Sequence, residues 1–147
     1  MAPLLLLLQF TLIVILIAPW TGRFPAWTSV SALTAFVLLT IGFLLFLWVL
    51  RHNRPGNFSY RPEPPAGNRL VTGGPYRFIR HPMYLALLLL MTGAVLLYGE
   101  PWRWLALIAL STVLHFKSRL EERLLCARFP EYSDYMARTK SILPFLL

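Results

Sequence analysis

Residues 29–50 read SVSALTAFVLLTIGFLLFLWVL, 22 positions without a charge, closed abruptly by Arg51. About 20 apolar residues in a helix cross the hydrocarbon core of a bilayer, so this stretch predicts a transmembrane helix. On its N-terminal side, Pro3 to Trp20 is also uncharged, and Gln9 is its most polar member. A cleaved signal peptide is the competing reading. The basic n-region and the small-x-small cleavage site that would mark one are missing, which favours a retained helix. Thr21 to Thr28, with Gly22, Arg23 and Pro25, reads as the turn between the two spans. On the C-terminal side, Met83 to Gly99 is a third apolar run, Gly99-Glu100-Pro101 a tight reversal, and Trp104 to Phe116 a fourth run. At ~1.5 Å per residue the last two are shorter than a ~30 Å core. Tyr98, Trp102 and Trp104 are expected to anchor that end at the interface while Arg103 snorkels outward.

Composition agrees with lipid rather than water as the solvent. Of 147 residues, 57% are hydrophobic and 14% charged, where a soluble domain carries about a quarter charged residues. Disorder and an ordinary soluble globule are excluded, and the single cysteine, Cys126, excludes an internal disulfide. The expected fold is all-α: one polytopic membrane domain over residues 1–147, with spans at 3–20, 29–50, 82–98 and 102–116. A cytoplasmic loop at 51–81 and a helical cytoplasmic tail at 117–147 complete it. Pro55, Pro62, Pro64 and Pro65 make Asn53 to Asn68 a polar loop without continuous helix. Lys117 to Arg128 reads as a polar continuation of the fourth helix, ended by Phe129-Pro130. The final Ile142-Leu143-Pro144-Phe145-Leu146-Leu147 can lie on the bilayer or pack on the bundle.

Basic residues set the orientation. Arg51, Arg54, Arg61, Arg69, Arg77 and Arg80 occupy the 51–81 loop, and Lys117, Arg119, Arg123, Arg128, Arg138 and Lys140 the tail. Only Arg23 and Arg103 lie on the other side, so the loop, both termini and the site are expected to face the cytoplasm. The formal net charge of +8 then collects on one membrane face, which attraction to anionic lipid explains without nucleic acid.

Chemistry concentrates at that face. Arg80-His81-Pro82-Met83-Tyr84 opens the third span, and Glu121-Glu122 follows the fourth. The two spans form a hairpin, so the clusters share one level on neighbouring helices. Ionisable groups beside lipid are costly and normally face a cavity or each other. Pro82 suits a first helical turn, which places His81 at the cap and Tyr84 one turn on. Lys117 and Glu121 are spaced i, i+4 and share a face; Glu122 points about 100° away, toward Arg119, Arg123 or the tail. Gly73-Gly74-Pro75 lets the backbone approach a ligand closely. Each feature also has a plain reading. Arg80-His81 can be an interfacial anchor, the glutamates a solvated salt-bridged face, Tyr132 and Tyr135 interfacial packing, and His52 and His115 helix-end residues. No pair has the spacing of a zinc site.

The stretch LVTGGPYRFIRHPMY at 70–84, followed by the acidic pair, Phe129, Tyr132, Tyr135 and Leu143-Pro144, resembles the isoprenylcysteine carboxyl methyltransferase family. Phospholipid methyltransferases and the C-terminal halves of sterol reductases show a similar pattern. The likeness spans roughly Asn68 to Leu147. It implies an integral membrane enzyme that uses S-adenosylmethionine, held by Asn68, Arg69, Leu70, Val71, Tyr76, His81, Pro82, Met83, Tyr84 and Glu121. Lys117 stands where the family usually has an arginine facing the substrate, and Ala86 where it often has glycine. The catalytic candidates are Lys117 and Arg119, to hold an acceptor carboxylate, and Glu122, to take a proton from an amine acceptor, a step for which His81 also qualifies.

The expectation is therefore a methyltransferase acting at the cytoplasmic face on a lipophilic acceptor, an isoprenylcysteine-type carboxylate or a related lipid. Its partners are that substrate and membrane lipids. Two alternatives stay open. One is a haem-binding electron carrier with His81 and His115 as axial ligands. The other is a non-catalytic membrane subunit whose basic face binds lipid or a partner. Neither the acceptor nor the oligomeric state is legible from the sequence.

Overall fold

A computed structural model describes residues 2–20, 30–53 and 70–142. Among these the chain is all-helical, with α1 at Ala2–Ile17, α2 at Val30–His52, α3 at Pro82–Tyr98, α4 at Trp102–Arg128 and α5 at Tyr132–Arg138. A short 3-10 helix at Gly74–Arg77 precedes α3. Pro82 opens α3 with His81 as its N-cap, as the proline's missing N–H requires. The fourth apolar run and its polar continuation form one unbroken 27-residue helix.

One described helical segment, Ser31–His52, is long and apolar enough to cross a membrane by itself. The apolar helices Pro3–Ile17 and Pro82–Tyr98 are shorter. Large apolar side chains nevertheless face outward on several helices: Leu7 on α1, Leu33 on α2 and Leu105 on α4 are each about two-thirds exposed or more. Patches of this kind are rare on proteins surrounded by water.

Small residues let α2 and α3 run antiparallel in close contact. A Cβ added at Gly93 would stand 2.7 Å from Leu39 Cγ and 3.0 Å from the Ala35 carbonyl oxygen. One at Gly42 would stand 3.0 Å from Leu90 Cγ and 3.1 Å from the Ala86 carbonyl oxygen. Ala35 and Ala86 line the same seam, fully buried. Without a water-driven hydrophobic force, such seams hold helices together by backbone proximity and dispersion. α1 packs against α4 and α3 around Leu16, Met91, Val95, Leu107, Leu110 and Leu114.

Arg103 corrects an expectation. It does not snorkel outward but is completely buried. Its Nε pairs with Glu100, and its guanidinium donates to the carbonyls of Ile15, Leu16 and Ala18 at the end of α1. It also lies 4.1 Å from the Tyr98 ring centroid and 4.8 Å from that of Trp102. The last carbonyls of a helix have no partner within it, and a planar multi-donor cation satisfies several at once. Tyr98 adds a fourth hydrogen bond to this end of the helix, its hydroxyl donating to the Ile17 carbonyl at 2.9 Å.

The tail folds back on the helix bundle. Tyr132 and Tyr135, expected at an interface, are buried, and the Tyr135 hydroxyl donates to the Tyr76 carbonyl at 2.6 Å. Beyond α5 the chain lies alongside the entry to α3. The Arg80 and His81 amides donate to the Lys140 and Ser141 carbonyls at 2.8 and 2.9 Å, next to an isolated parallel bridge between Ile79 and Lys140. Ile142 joins the core; the rest of the terminal apolar stretch lies outside the described residues.

Candidate active site

His81, fixed by the α3 N-cap and by the tail, stands between two adjacent glutamates of α4. Its Nδ1 lies 3.5 Å from Glu121 Oε2 and its Nε2 lies 3.2 Å from Glu122 Oε1. Tyr84, one turn further along α3, stacks on the imidazole with centroids 5.2 Å apart and planes 7° apart. Its hydroxyl donates to Glu121 Oε1 at 2.7 Å. The hairpin geometry inferred from helix order thus brings the start of α3 and the polar continuation of α4 into direct contact.

The two glutamates meet different surroundings. Burial alone would raise Glu122, but hydrogen bonds from His81 and Arg80 and the Arg80 charge bring its carboxyl down to about 2. Arg80 Nε donates to Glu122 Oε1 at 2.8 Å, and Ser141 Oγ donates to the same oxygen at 3.0 Å. Arg80 is held in turn by the Met136 and Thr139 carbonyls. An ionised carboxylate only accepts, so His81 Nε2 carries the hydrogen of that contact. Glu121 goes the other way. Burial pushes it above the usual carboxylate range, although His81, the Tyr84 hydrogen bond and Lys117 oppose the shift. Neighbouring carboxyl groups driven apart in this way take different roles.

This arrangement corrects the expectation for Glu122. Its partners are Arg80, His81 and, of the three expected alternatives, the tail through Ser141, not Arg119 or Arg123. A carboxylate with a pKa near 2 and three donors on one oxygen is a poor proton acceptor at neutral pH, so its place is that of a fixed anion orienting His81. Arg119 is exposed on another side of α4 and is not brought to the cluster. His115 is likewise exposed, edge-on to Phe116, while both ring nitrogens of His81 already face carboxylates. The pair therefore does not form the axial haem site weighed from the sequence.

Lys117 is buried, 4% exposed. Its Nζ donates to Gln9 Oε1 of α1 at 3.0 Å and lies 5.4 Å from the Tyr84 ring centroid. Tyr76, on the 3-10 helix, accepts a hydrogen bond from Asn53 Nδ2 at 3.1 Å, and burial raises its phenol above the ordinary value. Pro82 is buried and Met83 half-buried at the same helix entry. Leu70 and Val71 lie half-buried just before the 3-10 helix, and Asn68 and Arg69 fall outside the described residues. The approach expected at Gly73-Gly74 is made by a side chain of this protein. Gly74 has φ +59°, and a Cβ there would lie 2.3 Å from the His52 ring.

Two contributors, Ser141 and Gln9, escaped the sequence reading. Ser141 reaches Glu122 only through the folding of the tail and carries no local signal of that position. Gln9 did carry one, as the most polar residue of an otherwise apolar span.

The phospholipid methyltransferase family model matches residues 30–131, which covers α2, α3, α4 and the cluster between them. This chain belongs to the phospholipid methyltransferase family. The family match leaves α1 and α5 outside its bounds. Among relatives, the chain is 32% identical over 139 residues to the nickel-cobalt-cadmium resistance protein NccN of Alcaligenes xylosoxydans xylosoxydans, covering 90% of this chain and 61% of that protein. It is 38% identical over 81 residues to the cobalt-zinc-cadmium resistance protein CzcN of Cupriavidus metallidurans, covering 54% of this chain and 37% of that protein. The chain thus spans less than two-thirds of the length of either relative. Within the matched residues one described helix, Ser31–His52, is long and apolar enough to cross a membrane.

Proposed function

We propose that this protein is a multi-pass membrane methyltransferase that uses S-adenosylmethionine at the cytoplasmic face to methylate a lipophilic acceptor. The observation carrying this reading is the contact of His81 and Tyr84 with Glu121, made inside the residues matched by the methyltransferase family model. In this reading all four long helices cross the membrane. The outward-facing leucines of α1, α2 and α4 meet lipid, and the basic residues of the 51–81 loop and the tail face the cytoplasm.

The donor set fits the cofactor. Glu121 is a partly buried carboxylate whose Oε2 has His81 Nδ1, at 3.5 Å, as its ion-pair partner among the described residues. Such an oxygen suits a cationic ammonium or a ribose hydroxyl. Tyr84 and His81 supply flat rings and polar tips beside it, and Asn68, Arg69, Leu70, Val71, Tyr76, Pro82 and Met83 complete the binding set. When bound, S-adenosylmethionine supplies a methyl group activated by its sulfonium.

The residues of this chain then have positioning work to do. Glu121 and Tyr84 hold the donor end. Lys117, lowered from the ordinary lysine value by burial and supported in its charged form by Glu121, holds an anionic group of the acceptor. Alignment of nucleophile with an activated carbon supplies several kcal/mol without acid or base. A carboxylate acceptor is already ionised and needs no deprotonation. Arg119 and Glu122 have no part in this scheme, the first because it is exposed elsewhere and the second because Arg80 and Ser141 already occupy it. The resistance to metal ions in the relatives' names is, in this reading, the setting in which the methyl transfer is used.

Titration calorimetry of the detergent-purified protein with S-adenosylhomocysteine tests the proposal. Saturable binding, lost in Glu121→Gln and His81→Ala variants that keep their helical spectrum, is the expected result. Absence of any saturable heat in the folded wild type would sink it. Transfer of labelled methyl groups onto extracted lipids would then identify the acceptor class.

A further inference from the structure

The α1 helix carries no charge between Ala2 and Ile17, and it lies outside the residues the family model matches. It nevertheless reaches the site through one side chain: Gln9 Oε1 accepts the hydrogen bond from Lys117 Nζ at 3.0 Å. That contact decides where the ammonium lies. A lysine at the end of an apolar helical run ordinarily extends its four-carbon stem toward water. Here α4 continues past it into the polar stretch ending at Arg128, so a path toward water is at hand. The ammonium instead turns to α1 and sits 5.4 Å from the Tyr84 ring centroid, with the residue 4% exposed.

We propose that Gln9 is a positioning residue that draws the Lys117 ammonium inward over Tyr84 and so keeps a positive charge beside the Glu121 carboxylate. The choice of an amide matters. A carboxylate at this position would hold the ammonium equally well but cancel its field, whereas a neutral amide oxygen accepts the hydrogen bond and leaves the charge acting on Glu121. An apolar side chain would leave a buried ammonium without an acceptor, a costly state relieved by swinging outward.

The groups that act on Glu121 come from three elements. His81 and Tyr84 face it from the entry to α3, Lys117 and Glu122 from α4, and Tyr76 from the 3-10 helix. Lys117 is among those that favour its ionised form, against the burial that disfavours it. α1 adds no charge of its own, so the effect of Gln9 runs through Lys117. The inference rests on the reading of Glu121 as the cofactor carboxylate site.

The test is the pH dependence of S-adenosylhomocysteine affinity between about pH 5 and 8.5, where binding strengthens as Glu121 ionises. Lys117→Met is expected to move the midpoint upward by about one pH unit, the scale of losing a neighbouring unit charge in a partly buried site. Gln9→Leu is expected to move it in the same direction, and the Gln9→Leu/Lys117→Met double variant no further than Lys117→Met alone. Gln9→Glu keeps the shape and the hydrogen bond to Lys117, so it guards against a folding defect. It too should raise the midpoint, because the added negative charge offsets the field of the ammonium it holds. Wild-type binding with an unmoved midpoint in Gln9→Leu and Gln9→Glu, or additive shifts in the double variant, overturns this inference alone. A folded wild type that binds at no pH in the range overturns the cofactor reading and this inference with it.

Discussion

The Tyr84 hydroxyl donates a 2.7 Å hydrogen bond to Glu121 across the hairpin formed by α3 and α4, 37 residues apart in the chain. Both lie at the level where each helix changes from apolar to polar sequence. In the proposed function that level is where a methyl donor from the cytoplasm meets an acceptor from the bilayer, and the first prediction concerns this pair.

Glu121→Gln removes the ionised acceptor while keeping size. Its expected effect is at least tenfold weaker S-adenosylhomocysteine binding, with unchanged helical content. Tyr84→Phe deletes one hydrogen bond to a carboxylate, worth about 1.5–3 kcal/mol when the partner is charged, and should weaken binding by a smaller factor than Glu121→Gln. Calorimetry of both variants against wild type checks the order.

Glu122 should act on stability instead. Its carboxyl titrates near 4.5 when unfolded and about 2 when folded. A folded-state value below the unfolded one means stability that is fully present above about pH 4.5 and is lost as pH falls toward 2. Thermal unfolding in detergent should therefore fall in midpoint across that window. Glu122→Gln should flatten the dependence and lower stability at neutral pH, since it leaves the nine-tenths buried Arg80 side chain without its counter-charge.

Arg103→Met should destabilise the fold by about 3–5 kcal/mol, the cost of stranding one partner of a buried ion pair. It removes the cation facing Glu100 and takes away the Arg103 hydrogen bonds to the Ile15, Leu16 and Ala18 carbonyls. Combining it with Glu100→Gln should recover part of the loss. Denaturation midpoints of the two single variants and the double variant measure this.

Gly93→Val should cost about 1–3 kcal/mol through overpacking, because its first added carbon already meets Leu39 and the Ala35 carbonyl within 3.0 Å. Arg119→Ala and His115→Ala change exposed side chains away from the cluster, and each should leave S-adenosylhomocysteine affinity within about twofold of wild type. A large loss in either would contradict the exclusion of these two residues from the site.

Much of this was legible from local pattern. Uncharged runs marked the long helices, Pro82 marked where α3 begins, and Gly99-Glu100-Pro101 marked the reversal that makes a hairpin. A hairpin forces residues near its two open ends together, which is why His81, Tyr84 and Glu121 were recognisable as neighbours. The misreadings came where a side chain chooses between water and a distant partner. Arg103 sits among tryptophans at a span end and has the local sequence of a snorkelling residue, yet the α1 carbonyls it meets lie more than 80 residues away in the chain.

The order of the helices, the hairpin and the identity of the polar groups at its open end follow from the sequence alone, because hydrophobic length and helix-breaking residues act over short range. The tertiary structure decided the partners. It set which glutamate is a fixed anion and which stays tunable, through Arg80 and Ser141 on one side and Lys117, drawn in by Gln9, on the other. Charges interact through space, and the folding back of the tail and of α1 determines which of them come within reach.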